Sequence, residues 1–339
     1  MDVSVAGRSF MITGANSGIG KAAAIAIAKK GLWVSAGVRG GIIHMVCRNK
    51  ERAEQAREEV YGETGNKVIL KTPPLSRHGN TGLPDAPETD IYVHILDMSL
   101  AQKVWEFAET FKKRHRSLNV LINNAGCMVN QREVTAEGLE KNFATNTLGV
   151  YILTRSLIPL LEKSSNPRVI TVSSGGMLVQ KLKTTDLQAE NGYFDGTMVY
   201  AQNKRQQVVM TERWAKAHRN IHFSCMHPGW ADTPAVAMSM PQFHHSMRAK
   251  LRTAEQGADT VVWLATSTAA AATPSGLFFQ GARGRRGLLT SDREPVPTHL
   301  PLAWTRSSPE EEQNFMFQLE EITKSFRPAR LTRFSPVSS

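Results

Sequence analysis

The sequence contains no run of about 18 consecutive apolar residues, the length a helix needs to cross a bilayer, so no transmembrane helix is expected. The opening stretch, MDVSVAGRSFMITG, has no charged leader followed by an apolar core and a cleavage site, and reads as lacking a signal peptide. Cysteine is scarce. Cys47, Cys127 and Cys225 are odd in number and without C-x-x-C spacing, which argues against a disulfide framework and for reduced thiols in a cytoplasmic setting. No metal is expected, because His, Cys and acidic residues do not stand at ligand spacing; His227 reads as a turn residue instead. Internal repeats are absent as well.

What is present is an ordinary globular composition: 339 residues, 41% hydrophobic and 21% charged, enough to bury a sizeable core. The formal net charge of +11 raises the question of an anionic partner. The basic residues are scattered, however, with small clusters at Lys112–Arg116 and at Arg283, Arg285 and Arg286. No aromatic-interleaved stripe or recognition helix accompanies them, so a solvated basic face is expected rather than nucleic-acid binding. Weak attachment to an anionic membrane surface stays open as a second reading of the same charge.

Strand-like runs alternate with helical patterns along the chain: SFMIT then GKAAAIAIAKK, IIHMVC then KERAEQAREEV, IYVHIL then LAQKVWEFAETFKKR, and LNVLINNA then a helical region around 135–163. RVITVSS, a helix around 200–218, IHFSCMHPG, a helix around 254–267 and GLFFQ continue the series. Such alternation predicts an α/β, Rossmann-type, doubly wound parallel sheet flanked by helices. Residues 1–280 should form this single domain, with inserted segments near 32–40 and 71–90. Residues 281–339 should add a flexible basic segment and an amphipathic helix, EEEQNFMFQLEEITKSF.

TGANSGIGK, from Thr13 to Lys21, follows the first strand and opens the first helix. Gly14 permits a tight turn, Gly18 lets backbone approach a ligand, and Gly20 lets helix and strand pack closely. The helix-start amides around Asn16, Ser17, Gly18, Ile19 and Gly20 would then hold a pyrophosphate. A strand-to-helix turn wants glycine with or without a ligand, so this spacing alone does not decide. YAQNK, at 200–204, is a stronger sign. Tyr200 and Lys204 share a helix face, and an ammonium near a phenol favours its ionised form, tuning it for acid–base work.

Thr13-Gly14 with Gly18-Ile19-Gly20, the NNAG run at 123–126, Ser174, and Tyr200 followed by Lys204 together resemble the classical short-chain dehydrogenase/reductases. The likeness covers roughly residues 8–280. It implies hydride transfer between a nicotinamide dinucleotide and a carbonyl or alcohol, with Tyr200 as acid and base, Ser174 binding the substrate oxygen, and Lys204 holding the nicotinamide ribose. It further implies that Asn146 holds a water in a proton relay, that Asp97 accepts from adenine, that Asn124 supports the sheet beside the cofactor, and that Thr233 lies near the pyrophosphate. A homo-oligomer is implied too. Asn203 departs from the serine that often precedes the lysine. Residues 234–253, rich in Met, Phe and His, occupy the substrate-loop position and suit a lipophilic substrate, although they also suit simple loop packing. A dinucleotide-binding scaffold or sensor without turnover is the alternative from another class.

Two apolar runs, LWVSAGV and IIHMVC, compete for the second strand, and each ends on an arginine, Arg39 or Arg48. The next helical pattern starts directly after Arg48, and βα loops are short, so IIHMVC is the expected strand. An arginine at that strand end favours the 2′-phosphate of NADP (NADPH) over the free ribose of NAD, and Lys21 could reinforce it.

Overall fold

The computed structural model describes residues 5–30, 41–64, 91–281, 295–298 and 303–328. Strand β1 (Ser9–Thr13) leads through the glycine turn into α1 (Gly18–Lys30), and β2 (Ile42–Cys47) into α2 (Lys50–Thr64). The pattern repeats with β3 (Ile91–Ile95), α3 (Ala101–Arg114) and β4 (Val120–Asn123). A short α4 (Lys141–Phe143) then runs through a π turn (Ala144–Leu148) into α5 (Gly149–Leu161). After β5 (Arg168–Val172) come a 3₁₀ turn (Gly175–Val179), α6 (Gly196–Ala217) and β6 (His222–His227). The substrate-loop segment folds as α7 (Pro234–Ser239) and α8 (Pro241–Met247), followed by α9 (Ala254–Thr266), α10 (Thr268–Ala271), β7 (Leu277–Gln280) and finally α11 (Pro309–Lys324).

The seven strands are parallel and lie in the order β3-β2-β1-β4-β5-β6-β7. The expected doubly wound sheet is therefore found, as a single domain. Strand order reverses between β1 and β4, and the crevice beyond their carboxyl ends is where such sheets hold ligands. IIHMVC is the second strand, with Ser9 opposite Ile42 and Thr13 opposite Val46. Arg39 and the segments 32–40 and 71–90 lie outside the described residues, as do residues 282–294 of the basic segment.

One face of the sheet is covered by α1, α2 and α9, where alanines and Ile27 of α1 meet Val261 and Ala265 of α9. Small residues let these helices approach closely: a Cβ at Gly257 would come 3.1 Å from the Ala231 Cβ and 3.2 Å from Ile19. The other face buries Leu148, Leu153 and Leu157 with Met210 and Trp214 of α6. The same cluster takes in Phe315 and Leu319 of α11. That helix starts on a capping box, Ser308 with Glu311, which satisfies the first amides. It is fastened by Glu320, which accepts from the Tyr151 hydroxyl at 2.9 Å and from Arg155 at 2.7 Å. Among the described residues no helix is long and apolar enough to cross a membrane.

Candidate active site

The glycine turn is held from two sides. Asn124, just past β4, donates its side-chain amide to Thr13 O at 2.9 Å and Gly14 O at 3.3 Å, while Thr13 Oγ1 accepts from the Asn124 and Ala125 backbone amides. From β2, Val46 O accepts the Gly14 amide at 2.8 Å. The buried Cys47 thiol, pushed up to about 11 by burial, receives the Ala15 and Asn16 amides. Asn124 is thus a clamp on the turn.

The cradle suits a dinucleotide on three counts. Gly14 and Gly18 have φ of +67° and +51°, which side-chain-bearing residues avoid. A Cβ at Gly20 would strike Gly14 O and come 2.5 Å from Asn124 Nδ2, so α1 can sit this close only with glycine there. The first amides of α1 have no acceptor within the helix, and their mouth is flanked by Thr233, whose Cγ2 would lie 3.2 Å from a Cβ at Gly18. Ser17 is exposed there, and Asn16 and Ile19 are half-buried. Thr233 also caps α7, accepting from the Val236 amide at 3.3 Å.

At the other end of the crevice, exposed Arg48 and half-buried Asp97 line one shallow pocket of about 540 Å³, together with Leu96 and Phe107. Asp97 Oδ1 already accepts from the Ser99 amide at 2.9 Å and the Ser99 hydroxyl at 2.7 Å. Lys21 points elsewhere than expected: it pairs with Glu59 of α2, so its charge ties two helices together.

The four candidate residues Ser174, Tyr200, Lys204 and Asn146 meet beyond β4 and β5. Ser174, just past β5, caps the following 3₁₀ turn, where its hydroxyl hydrogen-bonds Tyr200 and accepts from the Gly176 amide at 3.3 Å. Its neighbour Ser173 is buried and donates to Lys204 O at 2.9 Å, fixing the strand end to α6. Gly196 sets the entry of α6, since a Cβ there would strike Val129 O. Asp195 caps that entry, accepting from Thr197 and Met198. The Lys204 ammonium lies 5.3 Å from the Tyr200 ring centroid. It donates to Val172 O at 2.9 Å and Gln207 Oε1 at 3.2 Å.

Asn146 sits in the π turn, an element often found at functional sites. Its side chain accepts from the Cys127 amide at 2.9 Å and donates to Cys127 O at 2.8 Å. A Cβ at Gly126 would lie 3.1 Å from Asn146 Oδ1 and 3.5 Å from Lys204 Nζ, so that glycine keeps the two groups close. Tyr200, Ser174, Lys204 and Asn146 are brought together as the sequence implies. The electrostatics differ from expectation. Burial dominates, pushing the phenol up to about 12 with the Ser174 hydrogen bond opposing, and pushing the Lys204 ammonium down to about 8.

His227, expected in a turn, is instead the last, buried residue of β6, packed 3.1 Å from where a Gly175 Cβ would be; burial pushes it down to about 4, with Arg252 adding to the effect. Among the described residues no group of three or more His, Cys, Asp or Glu could hold a metal. The family model described as short chain dehydrogenase matches residues 59–242, just over half of the chain. The chain belongs to the short-chain dehydrogenase/reductase family. Its members are oxidoreductases, and the glycine cradle described above suits the nicotinamide dinucleotide they use.

Within this short-chain dehydrogenase/reductase family, the chain is 58% identical over 327 residues to dehydrogenase/reductase SDR family member 12 of Bos taurus, covering 96% of this chain and 90% of that protein. Its Homo sapiens counterpart is 55% identical over the same shares. Human retinol dehydrogenase 12 is 31% identical over 230 residues, 67% of this chain and 63% of that protein. Two solved structures share the fold. An uncharacterised protein from Mycobacterium paratuberculosis has a TM-score of 0.66 at 23% identity, covering 97% of each chain. A short-chain dehydrogenase from Shigella flexneri complexed with NADP has a TM-score of 0.57 at 20% identity, covering 81% of this chain and 97% of that one.

Several residues that serve this site are not singled out by motif reading. Arg252 braces the HPGWADT turn, donating to Pro228 O at 3.1 Å and packing where a Gly229 Cβ would be. On α6, Gln206 and Gln207 are each 1% exposed, as is Asn203 of the YAQNK motif. A run of amides on a helix reads as a solvated face, and the sign that it is not is the shortage of apolar residues elsewhere along that turn.

Proposed function

We propose that this chain is an NADP(H)-dependent oxidoreductase that interconverts a carbonyl and an alcohol on a lipophilic substrate, with Tyr200 as acid and base. The observation that carries the reading is the convergence of Tyr200, Ser174, Lys204 and Asn146 beyond the carboxyl ends of β4 and β5. When bound, the nicotinamide supplies or accepts the hydride. A phenol is protonated at neutral pH, and burial pushes that of Tyr200 up further, so in the reductive direction it donates its proton to the developing alkoxide. Ser174 holds that oxygen with its hydroxyl. Lys204 would hold the nicotinamide ribose, Gly14, Asn16, Ser17, Gly18, Ile19, Gly20 and Thr233 the pyrophosphate, and Asp97 and Asn124 the adenosine side.

Preference for NADP(H) rests on Arg48, exposed at the end of β2 beside Asp97, and the NADP complex of the Shigella flexneri protein is in keeping with it. A lipophilic substrate is supported by the retinol dehydrogenases among the relatives. It is supported also by apolar side chains exposed around the substrate loop, where Trp230 is 50% exposed and packs 4.6 Å from Phe243, and Met238 is 80% exposed. The three free cysteines suit a reducing compartment such as the cytoplasm.

The test is Tyr200→Phe assayed with NADPH and NADH against retinoids, steroids and aliphatic aldehydes. The expected loss in turnover is about 10²–10⁴-fold with NADPH binding retained. Equal, negligible turnover of wild type and variant over the whole panel, despite tight NADPH binding, would overturn the reading in favour of a scaffold.

A further inference from the structure

Lys204 is 3% exposed, and among the described residues its ammonium has two acceptors, Val172 O and the Gln207 side chain. An ammonium has three donors, so these two acceptors fix its direction and leave one N–H for the site. Gln207 is itself oriented from behind. Its Nε2 donates to the Asn146 backbone carbonyl at 2.7 Å, in the π turn. Flipping that amide would set NH₂ against the ammonium and C=O against C=O, so only one orientation satisfies both neighbours.

A second string of amides runs alongside the first. Asn146 Nδ2 donates to Asn203 Oδ1 at 3.4 Å, Asn203 Nδ2 donates to Gln206 Oε1 at 3.3 Å, and the Thr147 hydroxyl donates to the same Gln206 oxygen at 2.7 Å. All of these groups are buried. Helix α6 therefore grips the π turn twice, once through Gln207 and once through Asn203 and Gln206.

We propose that Gln207 is a positioning residue of this active site, its neutral amide aiming the Lys204 ammonium and coupling it to the π turn that carries Asn146. The choice of an amide has a chemical reason. A carboxylate in its place would hold the ammonium equally well but would cancel the positive charge that acts on Tyr200 and on an incoming ribose. An apolar side chain would spare the charge but leave the buried Lys204 ammonium short of an acceptor and break the tie to Asn146 O. Burial already pushes the ammonium down to about 8, so its acceptors matter for keeping it charged at neutral pH.

The proposal takes its catalytic meaning from the oxidoreductase reading, and its test is arranged to stand apart from turnover. Protein labelled with ¹³Cε-lysine is titrated by NMR without cofactor or substrate, the Lys204 resonance being assigned by its loss in Lys204→Arg. Gln207→Met should lower the Lys204 midpoint and Gln207→Glu should raise it, each by about one pH unit, since a hydrogen bond to a charged group favours that form by about tenfold. Among the described residues, Cys127 and Tyr200 are the other titratable groups facing this ammonium, and both are unchanged in these variants. If the substrate panel gives turnover, both variants should also lose about 10²-fold in kcat with a smaller change in KM. Midpoints within a few tenths of wild type in Gln207→Glu, a variant that keeps the side-chain volume, would overturn the proposal. Opposite midpoint shifts without any turnover in wild type would sustain the positioning role and sink the oxidoreductase reading instead.

Discussion

Replacing Gly20 by alanine adds one methyl group where α1 meets the glycine turn. That methyl would sit 2.5 Å from Asn124 Nδ2 and closer still to Gly14 O. Ordinary carbon contacts are about 3.5–4.0 Å, so α1 must retreat by about 1 Å. One neighbour is backbone and the other is a side chain tied to Thr13 O and Gly14 O, so neither can swing away. Overpacking of this kind costs about 1–3 kcal/mol, offset in part by the helix preference of alanine, about 0.5–1 kcal/mol. A net loss of about 1–2 kcal/mol is expected. NADPH affinity should fall about tenfold, the equivalent of about 1.4 kcal/mol, because the displaced amides are the ones proposed to hold the pyrophosphate. Gly62 of α2 is the control: a Cβ there would meet nothing within 4 Å, and alanine should stabilise by about 0.5–1 kcal/mol. Urea denaturation reads both, as opposite shifts in midpoint at constant slope, and NADPH fluorescence titration reads the cradle. A Gly20→Ala protein with an unchanged midpoint and unchanged NADPH affinity would refute the close-packing argument.

Two further outcomes follow from charges. Arg48→Asp should move the preference from NADPH towards NADH, by about tenfold or more in the ratio of kcat/KM values, whereas Arg39→Asp should leave it nearly unchanged; the reverse pattern would mean that the strand-end arginine has been misassigned. Glu212 of α6, half-buried near Glu312 of α11, is pushed up to about 7, first by loss of solvent and then by that neighbouring carboxylate. Because its folded-state pKa lies above the unfolded value, its contribution to stability is present below about pH 4.5 and is lost as pH rises through 7. Glu212→Gln should therefore stabilise the protein above neutrality by up to about 3 kcal/mol and flatten denaturation midpoints between pH 5 and 8, measured as a pH series.

The sheet was legible because each strand stands beside its own helix in the chain. IIHMVC could be chosen over LWVSAGV because Asn49 and the α2 pattern follow it at once, and the pairing of Ser9 with Ile42 bears that out. The meeting of Tyr200 with Ser174 could be expected only through family likeness, since their adjacency depends on β5 and α6 folding onto each other. What stayed hidden depends on partners far along the sequence. Lys21 looks free beside the glycine turn, but α2 places Glu59 against it. Residues 206–207 look like solvent-facing glutamines, and only the π turn opposite makes them interior groups. The i, i+4 spacing reports a charge beside Tyr200 and carries no sign of the burial that pushes its phenol up.

Asn124 is the clamp that shapes the glycine turn, and it lies 111 residues downstream of the Thr13 carbonyl to which it donates. On the ribosome the turn emerges long before the residue that gives it its form. Contacts of such sequence separation close late, so the nucleotide cradle is assembled only after β4 has joined β1. Nucleotide binding by this chain is accordingly a gauge of completed folding as much as a step in its chemistry, and nascent chains that end before Asn124 carry the glycine motif without the site.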